Sequence, residues 1–242
     1  MTKFFFGNNI ENLSFVQLSQ AVQKLKNEIR LPIEKFYVTR IDFGVTFEME
    51  SIVSNYLDVL IDLPRYQVRT YGNETKCFVN KIKTLNFYNK TKESIKSKQQ
   101  TSDNIPKNLL RYELQIKNVN RAISKVTLSR LLKKDYIGKF LKMWTSGFYK
   151  IKKNNDLIDL ESINIKTNKD FINLLASRAI YKMGKQSAFN LLDKLSETNK
   201  IDRRRISEIK KHIENNENKL CSTKRYTEEL KFKINEFAGA YL

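Results

Sequence analysis

The chain has 242 residues, 40% of them hydrophobic, with 45 Lys and Arg against 26 Asp and Glu, a formal net charge of +19. That is enough apolar material for one large domain or a core with an accessory module, and the charge excess makes a polyanion, whether DNA, RNA or an anionic membrane surface, the natural partner. No apolar run approaches the roughly 20 residues that cross a bilayer, and the start at Met1 to Gly7 turns polar too soon for a signal peptide, so a cytoplasmic location and no membrane partner are expected.

Leu18, Ala21, Val22, Leu25 and Ile29 recur at helical spacing, which predicts an amphipathic helix over 13–29 with Asn12 as its N-cap. From Phe36 to Phe47 the pattern switches to alternation. Tyr37, Ile41, Phe43, Val45 and Phe47 take one side of the predicted strand, and Arg40, Asp42, Gly44 and Thr46 the other. A second helix is expected over 51–61, stopped by Pro64. Tyr66 to Tyr71 and Thr75 to Val79 flank Gly72 and Asn73, the residues of a tight hairpin turn, and Ile82 to Lys90 reads as the next antiparallel strand. Thr91 to Asn108 holds Lys92, Lys96 and Lys98 with little apolar content after Ile95, which predicts a mobile basic excursion.

Alternation resumes from Leu109 to Lys117, with Leu110, Tyr112, Leu114 and Ile116 opposed to Arg111, Glu113, Gln115 and Lys117. Beyond Val119 the pattern is helical, with helices expected near 135–151, 169–180, 187–195, 202–216 and 223–237. The expected fold is therefore α+β: an antiparallel sheet backed by helices in residues 1–153, followed by a helical region, 154–242, that binds DNA or protein. Residues 187–195 and 202–216 have the spacing of a helix-turn-helix pair. Cys77 and Cys221 are the only cysteines, which excludes a disulfide framework and a cysteine zinc site, and His212 is the only histidine.

The chemistry follows from parity. If the apolar sides of the three strands share one helix-covered core, then Arg40, Asp42, Tyr88, Lys90, Arg111 and Glu113 emerge together on the opposite face. Two carboxylates, a phenol and a lysine on one face are the parts of a metal-assisted, tyrosine-dependent nickase. The same residues also suit an ordinary face of cross-strand ion pairs, Arg40 with Glu113 or Arg111 with Asp42.

Three ordered motifs add a resemblance. Thr39-Arg40-Ile41-Asp42, then Phe87-Tyr88-Asn89-Lys90 with Glu93 three residues on, then Leu110-Arg111-Tyr112-Glu113, resemble the motifs of the filamentous-phage replication endonucleases and the related plasmid rolling-circle initiators. The resemblance spans residues 7–152; Asn89 stands where that family often has Asp. It implies nicking and rejoining of single-stranded or hairpin origin DNA, with a 5′-phosphotyrosine link and a free 3′ hydroxyl for a polymerase, and a host helicase as a further partner. In its terms Tyr88 is the nucleophile, Lys90 assists it, and Asp42 and Glu113, with Glu93 as a third, hold Mg²⁺ or Mn²⁺. With one histidine in the chain, any such ion is held by oxygen. Arg40, Arg111, Lys81, Lys83, Lys92, Lys96, Lys133 and Lys134 are the expected contacts to the DNA backbone. A noncatalytic DNA- or RNA-binding module or regulator is the alternative that keeps the charge and dispenses with the chemistry.

Overall fold

The computed structural model describes Phe6 and residues 10–97, 106–154, 165–198, 200–216 and 223–240. It has two compact units: residues 1–155 together with 224–242, and residues 156–223.

The first unit opens with helix α1 (Phe15–Ile29), whose start is fixed by Ser14 and Gln17 exchanging side-chain and backbone hydrogen bonds in a capping box. Asn12 is therefore not the cap. Its carboxamide instead clasps the backbone of Thr46, donating to the carbonyl at 3.0 Å and accepting from the N–H at 2.9 Å. Strand β1 (Ile41–Glu48) follows, then a short helix α2 (Val53–Asp58). The helix predicted over 51–61 ends early because Leu60 and Asp62 pair, as strand β2 (Leu60–Asp62), with the two-residue strand β7 (Lys152–Lys153). Strands β3 (Gln67–Tyr71) and β4 (Thr75–Val79) form the hairpin read from the sequence, with Gly72 at φ 55°, a left-handed value that favours glycine. Strand β5 (Lys83–Asn89) runs into helix α3 (Lys90–Lys96), and strand β6 (Leu109–Ile116) returns to pair with it. Two single-turn helices, α4 (Val119–Ala122) and α5 (Leu128–Leu131), lead into the long helix α6 (Lys134–Lys150).

The sheet is antiparallel with five strands in the order β1-β6-β5-β4-β3, so β1 is an edge and β6 lies between β1 and β5. The parity expectation is met for the apolar positions of the three strands, though not for Tyr37, which precedes β1 and is exposed. Val45, Phe47, Leu85, Phe87, Leu110, Tyr112 and Leu114 are buried on one face, where α6 supplies Phe140, Trp144 and Phe148. An aromatic stack crosses that layer: Phe87 lies on Tyr112 with centroids 4.2 Å apart, and Tyr112 on Trp144 at 4.7 Å. The helix can sit this close because residue 147 is glycine; a Cβ there would fall 2.6 Å from Leu85 Cδ2.

Helix α10 (Lys224–Ala240) belongs to this same unit, unlike the division of the sequence at residue 153. Its apolar stripe explains the return: Tyr226 packs edge-on against Tyr56 at 5.2 Å, and Phe237 against Trp144 at 5.7 Å.

The second unit consists of helices α7 (Asn168–Met183), α8 (Lys185–Glu197) and α9 (Arg203–Asn216) around Ala188, Leu192, Ile206 and Ile213. Cys221 and the side chains of Tyr181, Arg203 and His212 lie outside the described residues. Among the described residues no helix is long and apolar enough to cross a membrane.

Buried titratable groups set an expected pH profile for stability. Burial pushes the phenols of Tyr56, Tyr66, Tyr88 and Tyr112 above the ordinary tyrosine value and lowers the Lys153 ammonium to about 8. A lysine depressed in the folded state binds its proton more readily when unfolded, so stability rises with pH from about 8 toward the unfolded lysine value near 10.4. Raised tyrosines act the other way: their contribution is complete below about pH 10 and is lost as pH climbs through their folded values. The melting temperature is expected to climb from pH 8 to about 10 and then fall steeply, which thermal melts across that range would check.

Candidate active site

The second sheet face is polar, and cross-strand register decides which of its side chains meet. Asp42 lies opposite Gln115, Gly44 opposite Glu113 and Thr46 opposite Arg111; on the other side of β6, Glu113 lies opposite Asn86 and Arg111 opposite Tyr88. Asp42, Glu113 and Tyr88 thus fall on a diagonal across three adjacent strands, with each step a diagonal pair of about 7 Å.

Glu113 and Tyr88 touch. The Tyr88 hydroxyl donates to Glu113 Oε2 at 3.4 Å, and Gln115 Nε2 donates to Oε1 of the same carboxylate at 3.2 Å. The first of these is long for an O–H···O bond, so a small movement of either side chain strengthens it. Arg111 completes the group, with Nε 3.8 Å from Glu113 Oε2 and Nη1 donating to Thr46 Oγ1 at 3.0 Å. Both Arg111 and Glu113 expose only 12% of their side chains. Burial pushes the Tyr88 phenol up; Arg111 opposes this, while Glu113 and Glu93 add to it. The hydroxyl is therefore protonated at neutral pH and needs an acceptor before it can attack, a part Glu113 is placed to take.

Glycine at 44 is part of this construction. A Cβ there would lie 3.0 Å from two guanidinium nitrogens of Arg111 and 3.1 Å from Glu113 Cγ, so its absence lets Arg111 lie across the edge strand. Gly44, Thr46 and Gln115 carry no catalytic label in the sequence. Their parity with Asp42 and Glu113 was legible, but their contacts depend on strand order.

Lys90 departs from expectation. The strand ends at Asn89, whose side chain caps α3 by accepting from the Lys92 N–H at 2.9 Å. Lys90 is thus the first helical residue rather than a strand neighbour of Tyr88, and its side chain is fully buried and paired with Glu93. Burial lowers its ammonium despite that partner. The predicted mobile excursion is likewise replaced over 90–96 by this helix, which buries Thr91 and Ser94; residues 98–105 lie outside the described part.

Asp42 is half a step removed. Arg40, two residues earlier on the chain, grips it with Nε to Oδ1 at 2.9 Å and Nη2 to Oδ2 at 2.8 Å. The ion pairs on this face accordingly run along strands, Arg40 with Asp42 and Arg111 with Glu113, rather than across them. Glu93 is held by Lys90, and among the described residues no group of three or more His, Cys, Asp or Glu is arranged to hold a metal ion. Asp42 and Glu113 still offer hard oxygen donors of the kind that suit Mg²⁺ or Mn²⁺, with Arg40 as the competitor for Asp42.

The remaining basic candidates are dispersed. Lys81, Lys133 and Lys134 are exposed. Lys92 and Lys96 both bind Glu74, at 3.2 and 2.6 Å. Lys83 lies on the helix-covered side, its Nζ 3.4 Å from Met143 Sδ, so it does not share the face of Tyr88. Of the helical tyrosines, Tyr136 is buried and Tyr149 donates to Asn235 at 2.8 Å on α6, in the helical layer.

No protein-family model matches this chain, and no curated protein matches its sequence.

Proposed function

We propose that this protein is a rolling-circle-type replication initiator that nicks and rejoins single-stranded origin DNA through Tyr88. The observation that carries the reading is the Tyr88 hydroxyl on the polar face, hydrogen-bonded to Glu113 and flanked by Arg111. The tyrosine, glutamate and arginine that the three motifs single out are thus neighbours on two adjacent strands.

In this reading Arg111 and Arg40 hold the backbone phosphates, Arg111 presenting its guanidinium beside the phenol. Glu113 accepts the proton of Tyr88 as the phenolic oxygen forms its bond to phosphorus. The bond from phosphorus to the 3′ oxygen breaks, and that oxygen leaves as a hydroxyl with a proton drawn from water. The chain stays joined to the 5′ phosphate, and the reverse transfer rejoins the ends. Asp42 and Glu113 are the residues that would hold Mg²⁺ or Mn²⁺, which when bound withdraws charge from the phosphate under attack. Lys90, fully buried and paired with Glu93 within electrostatic reach of Arg111 and Glu113, acts at the start of α3 as a positioning residue. The protein should form a covalent adduct with labelled single-stranded DNA in Mn²⁺, and peptide mapping by mass spectrometry should place the modification on Tyr88. An adduct on Tyr149 or Tyr136 would move the chemistry to α6.

One observation favours a second reading. Each acidic residue of the expected site has a basic partner, Arg40 for Asp42, Lys90 for Glu93 and Arg111 for Glu113, so the face is also consistent with a noncatalytic nucleic-acid-binding module. That reading predicts salt-dependent binding with no adduct on any hairpin or single strand.

A further inference from the structure

A cavity of about 510 Å³ lies alongside the outer edge of β1, within the range of small-molecule sites. Leu18 and Val22 of α1, Phe43 of β1 and Phe140 of α6 line its apolar part, and Arg40 and Arg111 line it on the side of the polar face. Arg111 therefore belongs both to this cavity and to the group around Tyr88.

The edge itself is chemically unfinished. Alternation in an antiparallel strand sends the backbone groups of every second residue to the same side. Thr46 turns its N–H and carbonyl outward to Asn12, and Val38 turns its N–H outward to the Val126 carbonyl at 2.9 Å. Between them, Asp42 and Gly44 present their N–H and carbonyl groups to the same edge, and among the described residues these groups, like those of Arg40 just before the strand, have no hydrogen-bond partner. The gap from Arg40 to Gly44 is about 13 Å long and is closed at both ends, by the Asn12 carboxamide and by the Val38 to Val126 bond. An extended peptide adding a strand would have to run through one of those closures. A compact planar ligand would not.

Asn12 shows what fits such an edge. Its carboxamide is a flat group with an acceptor beside a donor, and it satisfies both backbone groups of Thr46 at once. The edges of nucleobases carry the same adjacent acceptor and donor. We propose that this cavity captures a single unpaired nucleobase of the bound strand. Its edge is hydrogen-bonded to the N–H and carbonyl of Asp42 or Gly44, its ring lies against the apolar wall, and its phosphate is held by Arg40 and Arg111. The inference rests on single-stranded DNA being the ligand, and it locates sequence selection on backbone groups of β1, next to the site of attack.

The test uses the full-length Tyr88→Phe protein, which binds without covalent attachment, so its outcome is separate from that of the adduct experiment. Short fluorescent single strands, with bases or composed of abasic deoxyribose phosphates, are titrated at fixed salt. A second protein carries Leu18→Trp in addition, which fills the cavity from α1. Base-bearing strands should bind the unfilled protein about tenfold or more tightly than abasic ones, and Leu18→Trp should erase that difference while leaving abasic binding unchanged. Hydrogen exchange supplies a readout that needs no cavity mutation: the Asp42 and Gly44 amides should slow when base-bearing DNA binds and not when abasic DNA does. Equal affinity for the two strands, or amides at 42 and 44 that exchange equally in both complexes, would overturn the proposal. Loss of abasic binding in Leu18→Trp would show general damage to the DNA-binding face and would count against it as well.

Discussion

Tyr88→Phe is expected to abolish covalent attachment to single-stranded DNA, and Glu113→Gln to slow it by about 10²- to 10⁴-fold, the usual span for losing a positioned proton acceptor. The reasoning is local. Tyr88 loses one oxygen and Glu113 exchanges one oxygen for nitrogen, so neither change alters the packing of the apolar face, and both variants should melt close to wild type. The phenol of Tyr88 is held protonated by burial, and the acidic neighbours Glu113 and Glu93 make its ionisation harder still. An unassisted phenolate is therefore scarce at neutral pH, and the carboxylate at 3.4 Å is the acceptor within reach. The pH profile separates this from simple ionisation. In wild type, with a carboxylate beside the phenol, the adduct rate should vary little with pH, whereas in Glu113→Gln it should keep rising toward alkaline pH, because attack then waits on phenolate. Single-turnover adduct formation measured from pH 6 to 10 decides the matter. A Glu113→Gln protein with wild-type rate and profile would remove Glu113 from the chemistry.

The sheet was legible in the sequence because its code is binary. Val45 and Phe47 against Asp42 and Thr46, or Tyr112 and Leu114 against Arg111 and Glu113, alternate cleanly, and alternation fixes the face. It does not fix which strands are neighbours or how they slide. That is why Glu113 and Tyr88 could be placed on one face, while the Arg111 crossing over Gly44 and the along-strand grip of Arg40 on Asp42 became visible only with the register. Lys90 shows the limit of parity. Two residues after Tyr88 it would share that face if the strand continued, but Asn89 caps a helix there, and a single change of backbone direction buries the lysine. Asn12 failed as a predicted cap for a related reason. Ser14 with Gln17 forms a reciprocal pair that holds the helix start, which leaves the Asn12 carboxamide for the edge of β1. The final helix was legible as a helix and misplaced as a neighbour, since an apolar stripe says that something covers it without saying what.

The largest effect on stability is expected from Trp144→Ala. Trp144 is fully buried at the centre of α6 and stacks on Tyr112 at 4.7 Å. Its ring also meets Phe43 at 5.9 Å, Phe47 at 6.2 Å and, from α10, Phe237 at 5.7 Å. One side chain thus joins the sheet, the covering helix and the chain's last described helix. Truncation removes the buried indole surface and leaves a cavity that stacked rings and strands cannot collapse into, at a cost of about 3–5 kcal/mol. For a domain of this size each kcal/mol lowers the melting temperature by about 2–4 °C, so a drop on the order of 10 °C is expected by circular dichroism. Trp144→Phe keeps a ring in the stack and should cost less. The Tyr112 hydroxyl donates to the Trp144 carbonyl at 2.8 Å, a backbone contact that both variants retain, and both lose the indole N–H donated to the Tyr112 carbonyl at 3.4 Å, so the difference between them reports a ring in the stack. Because Tyr112 carries the Trp144 ring on one sheet face and sits between Arg111 and Glu113 on the other, loosening this stack should also slow adduct formation at temperatures where the protein is still folded. A Trp144→Ala protein that melts like wild type would mean that the aromatic column does not hold the sheet to its helices.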